Sequence, residues 1–314
     1  MANFPSRPAT ALPGSIFISS IMKMVGSGNR DDLISNEIIR GNFPNFLRSL
    51  IPITISEGGS TLVYNVLSDY IAVGDDIDYV RTPLGGPAAQ KVADAFGCIL
   101  PTTKMSDQIW KSAKTKLPPK PLSGAPQTIG GKTYSVQQFL SGKMTDTDTF
   151  EHHNQIIQQQ LKERGHVPGE LVAGSKKDIV LSNDIAPGKL GIHGMHEIDG
   201  RPLQPGAASP HIEDYNDYSS GVRLVDRQAK LNGKPIDLIR DILQNPEYSH
   251  FVTDGGVLHN IAYNYDGKQD VKSKDIPEKR PTEMIALQNK PTSSSSGKIM
   301  LLNRLYDFLN KINI

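Results

Sequence analysis

With a single cysteine, Cys98, in 314 residues, the chain cannot close a disulfide on itself. Its stability must come from packing, and the lone thiol fits a reducing compartment as well as a disulfide-free exported protein. An excess of either charge is missing too. Basic residues number 34 and acidic ones 33, and neither sign gathers in a block, so the electrostatic footprint that tracks a phosphate backbone is absent and no nucleic-acid partner is expected. No apolar run approaches the roughly 20 residues that cross a bilayer, so no membrane span is expected. The start MANFPSRPATALPGSIFISS lacks the basic region and apolar stretch of an export signal. A mature start at Asn3, after removal of a signal, would still make the protein secreted or periplasmic, and that is the expectation carried forward. What is present is a globular composition, 37% hydrophobic and 21% charged, in a length that buries one large core or two ordinary ones.

The pattern along the chain predicts an α+β fold, a mixed or antiparallel sheet with helices packed against it. Leu33, Ile34, Ile38 and Ile39 recur at helical spacing until Gly41 and the Asn-Phe-Pro turn, after which a second short helix fits. From Ile51 to Val73 the texture is β-branched and aromatic around Gly58-Gly59, which predicts a hairpin or two sheet strands. Pro87 opens a helix that Gly97 ends, and Pro101 with Thr102 or Thr103 starts another. Proline and glycine interrupt regular structure from Lys116 to Lys143, the place of a crossing loop or boundary. A helix follows over 145–164, with Phe150, Ile156, Ile157 and Leu161 as its apolar positions, then strands at 170–173, 177–182, 190–193 and 221–225 and a helix at 236–244. The Ser-rich PTSSSSGK leads into an amphipathic C-terminal helix bearing Leu301, Leu305, Phe308 and Leu309. The expected regions are therefore 1–120, a crossing segment 121–145, 146–290 carrying the candidate site, and 291–314.

Chemistry-bearing residues concentrate in HIEDYNDYSSGVRLVD, residues 211–226. Gly206, Pro205 and Pro210 prevent regular structure before His211, and Gly221 to Val225 alternate like a strand, so 211–220 should sit at a sheet end, where functional groups gather. His211 with Asp214 or Asp217 has the make-up of an imidazole oriented by a carboxylate; a solvated turn capped by its own Asp and Asn is the competing reading. His193 and His196 flank Gly194-Met195, before the hairpin-like Asp199-Gly200. On a regular strand residues three apart face opposite ways, which weakens a metal site built from His193, His196 and His211, and no HExxH-type spacing supports one. His152 and His153, adjacent on a helix, cannot both join one site and read as a surface or interface pair. Lys176, Lys177 and Asp178 fit solvated strand-edge charges. Cys98 follows a helix stop rather than a helix start, which suits a buried small hydrophobe better than a nucleophile. No serine, Ser219 and Ser220 included, has a nucleophile-elbow setting.

Several blocks in order, among them FPSRPATALPGS, EIIRGNFPNFLRSLIPI, AQKVADAFGCILPTTKMSDQIW, AGSKKDIVLS, GMHEIDGRPLQP and DYSSGVRLV, resemble a family of uncharacterised, mostly exported bacterial proteins over roughly residues 4 to 260. The resemblance implies export and no particular reaction. It places His where this chain has Ser175 and Ser220, and Trp where it has Met195.

Together these readings lead to an exported hydrolase acting on a cell-wall or other extracellular polymer or glycan. In it His211 is the general base, Asp217 orients it and His196 positions water or substrate. Tyr218, Arg223 and Tyr215 bind the substrate, and no cofactor or bound metal is expected. The alternative is a carbohydrate- or cell-surface-binding protein that uses Tyr215, Tyr218, Tyr263 and Tyr265.

Overall fold

In the computed structural model residues 2–22 and 27–265 are described, with the backbone alone at 27 and 28; the C-terminal helix and the Ser-rich linker expected from sequence lie outside them. The β-branched stretch forms the antiparallel hairpin Ile51–Glu57 and Ser60–Val66, in register from Ile51 opposite Val66 to Glu57 opposite Ser60. Its two-residue turn needs left-handed backbone at both positions, which Gly58 and Gly59 supply. Ser60–Val66 is the centre of a six-stranded antiparallel sheet, joined on one side by Gln228–Leu231 and Lys234–Asp237 and on the other by Val225–Asp226 and Cys98–Ile99.

A second sheet of four short strands runs in the order Pro202–Gln204, Ile192–His196, Lys177–Ile179, Ser220–Gly221. The last is parallel to its neighbour and the others antiparallel. Asp199-Gly200 turns between the first two, as its sequence predicts, with Gly200 left-handed. The chain passes from the smaller sheet to the larger through Val222–Leu224; of the strand expected over 221–225 only the ends, Gly221 and Val225, pair in the sheets. Between those ends the Val222 and Leu224 carbonyls accept from the Ile71 and Leu67 N–H groups. The fold is thus α+β with mixed and antiparallel sheets.

Helices cover these sheets. Ser27–Ile39 ends before the left-handed Gly41, and the short 3-10 turn Asn45–Arg48 follows. Gly86–Ala95 has Pro87 in its first turn and stops before Gly97. Thr147–Glu163 buries Phe150, Ile157 and Leu161. Between Lys116 and Lys143 the structure is more regular than the proline content suggests: Gln127–Ile129 pairs with Lys132–Tyr134, and Ser135 and Gln138 close a capping box on Val136–Leu140. Over 236–244 only Ile239–Leu243 is helical, as a π-turn, because Lys234–Asp237 is already committed to the sheet. The main core draws on residues from Phe17 to Tyr263, and a smaller cluster of Leu122, Ile129, Phe139, Phe150 and Tyr218 lies under the segment that starts at Lys116. Among the described residues no helix is long and apolar enough to cross a membrane.

Candidate functional site

The helix Thr103–Ser112 begins where Thr102 Oγ1 accepts from the Met105 N–H, 3.1 Å away. Met105 and Ile109 point into the core, while Ser106, Asp107 and Trp110, spaced along an adjoining face, meet the strand Ile192–His196. That strand is not regular. Gly194 has φ 107° and Met195 φ 55°, and two successive left-handed residues rotate the chain so that His193 and His196 turn to the same side. A β-side-chain alternation would have parted them.

Both imidazoles meet one carboxylate oxygen. His193 Nε2 lies 2.9 Å and His196 Nε2 2.7 Å from Asp107 Oδ1. The two rings are nearly buried, whereas the Asp107 side chain is 37% exposed and gives the group its opening to solvent. Trp110 stacks on His196 with ring centroids 5.6 Å apart. Behind the pair, Asp178 sits opposite His193 in strand register and accepts a hydrogen bond from Ser106 Oγ.

Hydrogen-bond valence constrains His193 tightly. Its Nδ1 is 3.1 Å from the Gly206 carbonyl oxygen, which can only accept, so Nδ1 carries a proton and donates it. A neutral ring then presents a lone pair at Nε2, toward a carboxylate that is also an acceptor. A second ring proton or a cation must lie between them. Burial pushes the Asp107 carboxyl up, but the hydrogen bonds and charges of His193 and His196 outweigh it and hold it well below the usual carboxylate range. For His193 burial acts downward and the Asp107 contact prevails, raising its pKa. Asp107, His193 and His196 offer three ligand atoms within 4.8 Å of one another and are the group that could hold a metal ion among the described residues.

Gly194 is the hinge of this arrangement. A Cβ there would stand 3.2 Å from Ser106 Oγ and 3.3 Å from the His196 ring, on a backbone with φ +107° that L side chains rarely adopt. Gly194→Ala is expected to cost about 2 kcal/mol in urea unfolding and to shift the ring resonances of both His193 and His196. Unchanged stability and spectra would mean that the kink does not hold the imidazoles together.

The sequence-predicted loop is organised differently. The His211 ring stacks on Tyr215 at 3.8 Å between centroids, and Asp217 does not hydrogen-bond it. The Asp217 carboxylate accepts instead from Lys177 Nζ at 3.3 Å, from Tyr215 Oη at 3.2 Å and from the Ser219 backbone at 2.8 Å. Burial and the nearby Lys177 lower the His211 pKa despite Asp217. Arg223 is fully buried; it donates to the Leu67 and Val172 carbonyls at 3.0 and 2.8 Å and lies over the Tyr70 ring. Its guanidinium binds backbone rather than facing solvent. Tyr218 is buried as well, its hydroxyl accepting from the Leu122 N–H at 2.7 Å. Tyr263 spans Gly191 N–H and the Val180 carbonyl from inside the core, so Tyr215, Tyr218, Tyr263 and Tyr265 do not form one exposed platform. Of the six residues singled out from sequence, His196 alone belongs to the Asp107 group, and His193 joins it. His211, Asp217 and Tyr215 form a neighbouring cluster with Lys177.

Other expectations change too. His153 is not at the surface: it is fully buried, edge-on to Tyr218 at 4.9 Å, and burial, then Lys176 and Arg81, hold its pKa well below the ordinary value. Lys176 is a core residue whose Nζ donates to the Tyr218 carbonyl at 2.6 Å, with its pKa lowered to about 7 by burial first and Arg81 second. Cys98 is buried with its thiol pushed up by burial, in keeping with a packing role. Ser175 and Ser220 are buried, and Ser220 pairs with Lys177 across the small sheet. Asp107 had no sequence signal beyond being an acid on the outer face of an amphipathic helix.

No family model, curated protein or solved structure matches the chain.

Proposed function

We propose that the protein is a hydrolase and that Asp107, His193 and His196 are its reactive group. The observation that carries this reading is the convergence of two nearly buried imidazoles on one oxygen of a carboxylate that is itself open to solvent. Water on the open side of Asp107 is then the nucleophile, and the imidazole–carboxylate group takes up its proton as it attacks. Trp110, half-buried, stacks on His196 and has Lys116 Nζ 4.6 Å from its ring centroid, so it buttresses that imidazole. The substrate class we propose is a cell-wall or other extracellular polymer, met by a secreted or periplasmic protein. What supports that part is the resemblance, in ordered blocks, to exported proteins.

The test is a screen of purified protein on peptidoglycan and on common polysaccharides, reading release of reducing ends and of free amines. Asp107→Ala and His196→Ala should each lower the detected rate by about 100-fold or more, while His211→Ala leaves it within about twofold. Full activity in both Asp107→Ala and His196→Ala would overturn the reading.

A further inference from the structure

We infer that Asp107, His193 and His196 bind one divalent transition-metal ion of the zinc class through the Asp107 carboxylate and the two Nε2 atoms. The inference rests on the same site as the proposed hydrolase and names the cofactor that the site would use; with the ion bound the three side chains would be its ligands, and lowering of the pKa of a bound water would replace proton uptake by the group.

Four observations carry it. The first is the anchored ring: His193 is locked by its Nδ1–H to the Gly206 carbonyl, so its Nε2 is turned to Asp107 and needs a ring proton or a cation between them. A histidine whose far nitrogen is anchored on a backbone carbonyl and whose near nitrogen points at a carboxylate has the outer hydrogen bond that orients metal-binding imidazoles. Gly206 is fixed for this role by its neighbour, since the Ala207 carbonyl accepts from the Ile192 N–H at 3.2 Å.

The second is backbone strain at the same place. Met195 is one of two non-glycine residues with positive φ among the described residues, a conformation that costs on the order of 1–2 kcal/mol. It sits between the two histidines, and its effect is to bring their rings to one side. The third is Asp178. Among the described residues its Oδ1 has no hydrogen-bond partner although it is buried, and it lies opposite His193 in register. This buried carboxyl group adds an unsatisfied acceptor behind the pair, beside the hydrogen bond it accepts from Ser106 Oγ.

The fourth is the donor set and its openness. Two imidazole nitrogens and one carboxylate suit zinc-class ions, whereas calcium and magnesium prefer all-oxygen shells. Three protein ligands with one exposed edge, at Asp107, leave a position for water, as catalytic zinc sites do. Ligand atoms around a tetrahedral zinc ion stand about 3.4 Å apart, so the 2.7 and 2.9 Å contacts must open by roughly half an ångström. Asp107, the more exposed partner, on the helix surface, can make that movement with its side chain, and all three ligand atoms already lie within 4.8 Å of one another. Where a second ring proton holds His193 Nε2 to Asp107, binding sends that proton to solvent, whereas in His196 an Nε2 proton can move to Nδ1 without release.

The experiment uses the full chain, stripped with a chelator and titrated with zinc chloride by calorimetry, with cobalt(II) as a spectroscopic probe. The expected result is one zinc ion per chain, visible cobalt bands of a four- or five-coordinate nitrogen/oxygen site, and no displacement by millimolar magnesium or calcium. His193→Ala, His196→Ala and Asp107→Ala should each weaken binding on the order of 100-fold, and His211→Ala should leave it unchanged. Should a histidine variant fail to fold, zinc-induced shifts of the His193 and His196 ring nitrogens in the wild-type chain decide the same point. Substoichiometric uptake, or uptake that survives loss of either histidine, overturns the inference. Stoichiometric zinc with no hydrolysis of any polymer would leave the metal site standing and overturn the proposed function; Asp107-dependent hydrolysis without zinc uptake would do the reverse.

Discussion

Asp69→Ala is expected to lower the unfolding free energy by about 3–5 kcal/mol, a large share of the roughly 5–15 kcal/mol that a domain has in total. Arg81 and Asp69 are both buried, and the guanidinium donates Nε to the carboxylate at 3.1 Å and Nη2 to Oδ2. Arg81 Nη1 donates to Asn154 Oδ1 at 2.9 Å, and that amide returns a hydrogen bond to the Tyr79 carbonyl. Asp69 Oδ1 also accepts from the Tyr70 N–H at 2.7 Å. The network ties the strand Tyr79–Arg81, the helix Thr147–Glu163 and the turn after Ser60–Val66 into one body. Removing the carboxylate leaves a guanidinium charge in the core with only neutral acceptors, so the loss exceeds the net worth of the pair itself. The double variant Asp69→Leu with Arg81→Met should regain most of it, since an apolar pair of similar volume avoids the desolvation cost. Urea unfolding checks both, with the midpoint moving and the slope unchanged. A single-variant loss under 1 kcal/mol would mean that Arg81 finds other compensation.

The parts of this fold that could be read from residues are those whose cause is local. Gly58-Gly59 between β-branched runs specifies its hairpin, because few residues other than glycine take consecutive left-handed angles. Pro87, Gly97 and Thr102 punctuate two helices by the same local chemistry. What could not be read is set by partners far along the chain. Cys98–Ile99 and Thr115–Lys116 are strands two residues long, defined by what lies beside them. Arg223 has the pattern of a strand residue facing a substrate, yet its place is decided by two carbonyls 156 and 51 positions away. The candidate site shows the same division. The histidine pair was visible, but regular strand geometry parts the two rings, and only the left-handed angles at Gly194 and Met195 unite them. Asp107 meets His193 across 86 residues, a juxtaposition that no spacing rule encodes. The lone hint was Gly194, where a glycine inside a strand pattern often marks a kink.

Lys176→Met is expected to cross the wild-type stability curve as pH rises. Lys176 is wholly buried and its pKa falls to about 7, through burial first, then Arg81, with Lys177 acting in the same direction and Asp217 and Asp69 against it. In the unfolded chain the amine keeps an ordinary lysine value. Between pH 7 and about 10 the unfolded state therefore binds more protons than the native state, and native stability rises with pH, by up to about 1.4 kcal/mol per unit from this group. Below pH 7 both states are protonated, and the cost of the buried charge, several kcal/mol, is fully present. Methionine keeps the stem and removes the charge, so the variant should be the more stable below pH 7. Above pH 9 the neutral amine still donates to the Tyr218 carbonyl at 2.6 Å, and methionine leaves that buried oxygen without a partner at a cost of about 1–2 kcal/mol. The wild type should then be the more stable. Unfolding free energies of both chains from pH 6 to 10 measure the difference, in which every other titrating group cancels to first order. Parallel curves would show that Lys176 keeps an ordinary pKa, and therefore that water or a counter-charge reaches it. Because Asp69 is one of the two acids that favour its charge, Asp69→Ala should move the midpoint of this pH dependence further down, which couples the ion-pair network to the buried amine in a single titration.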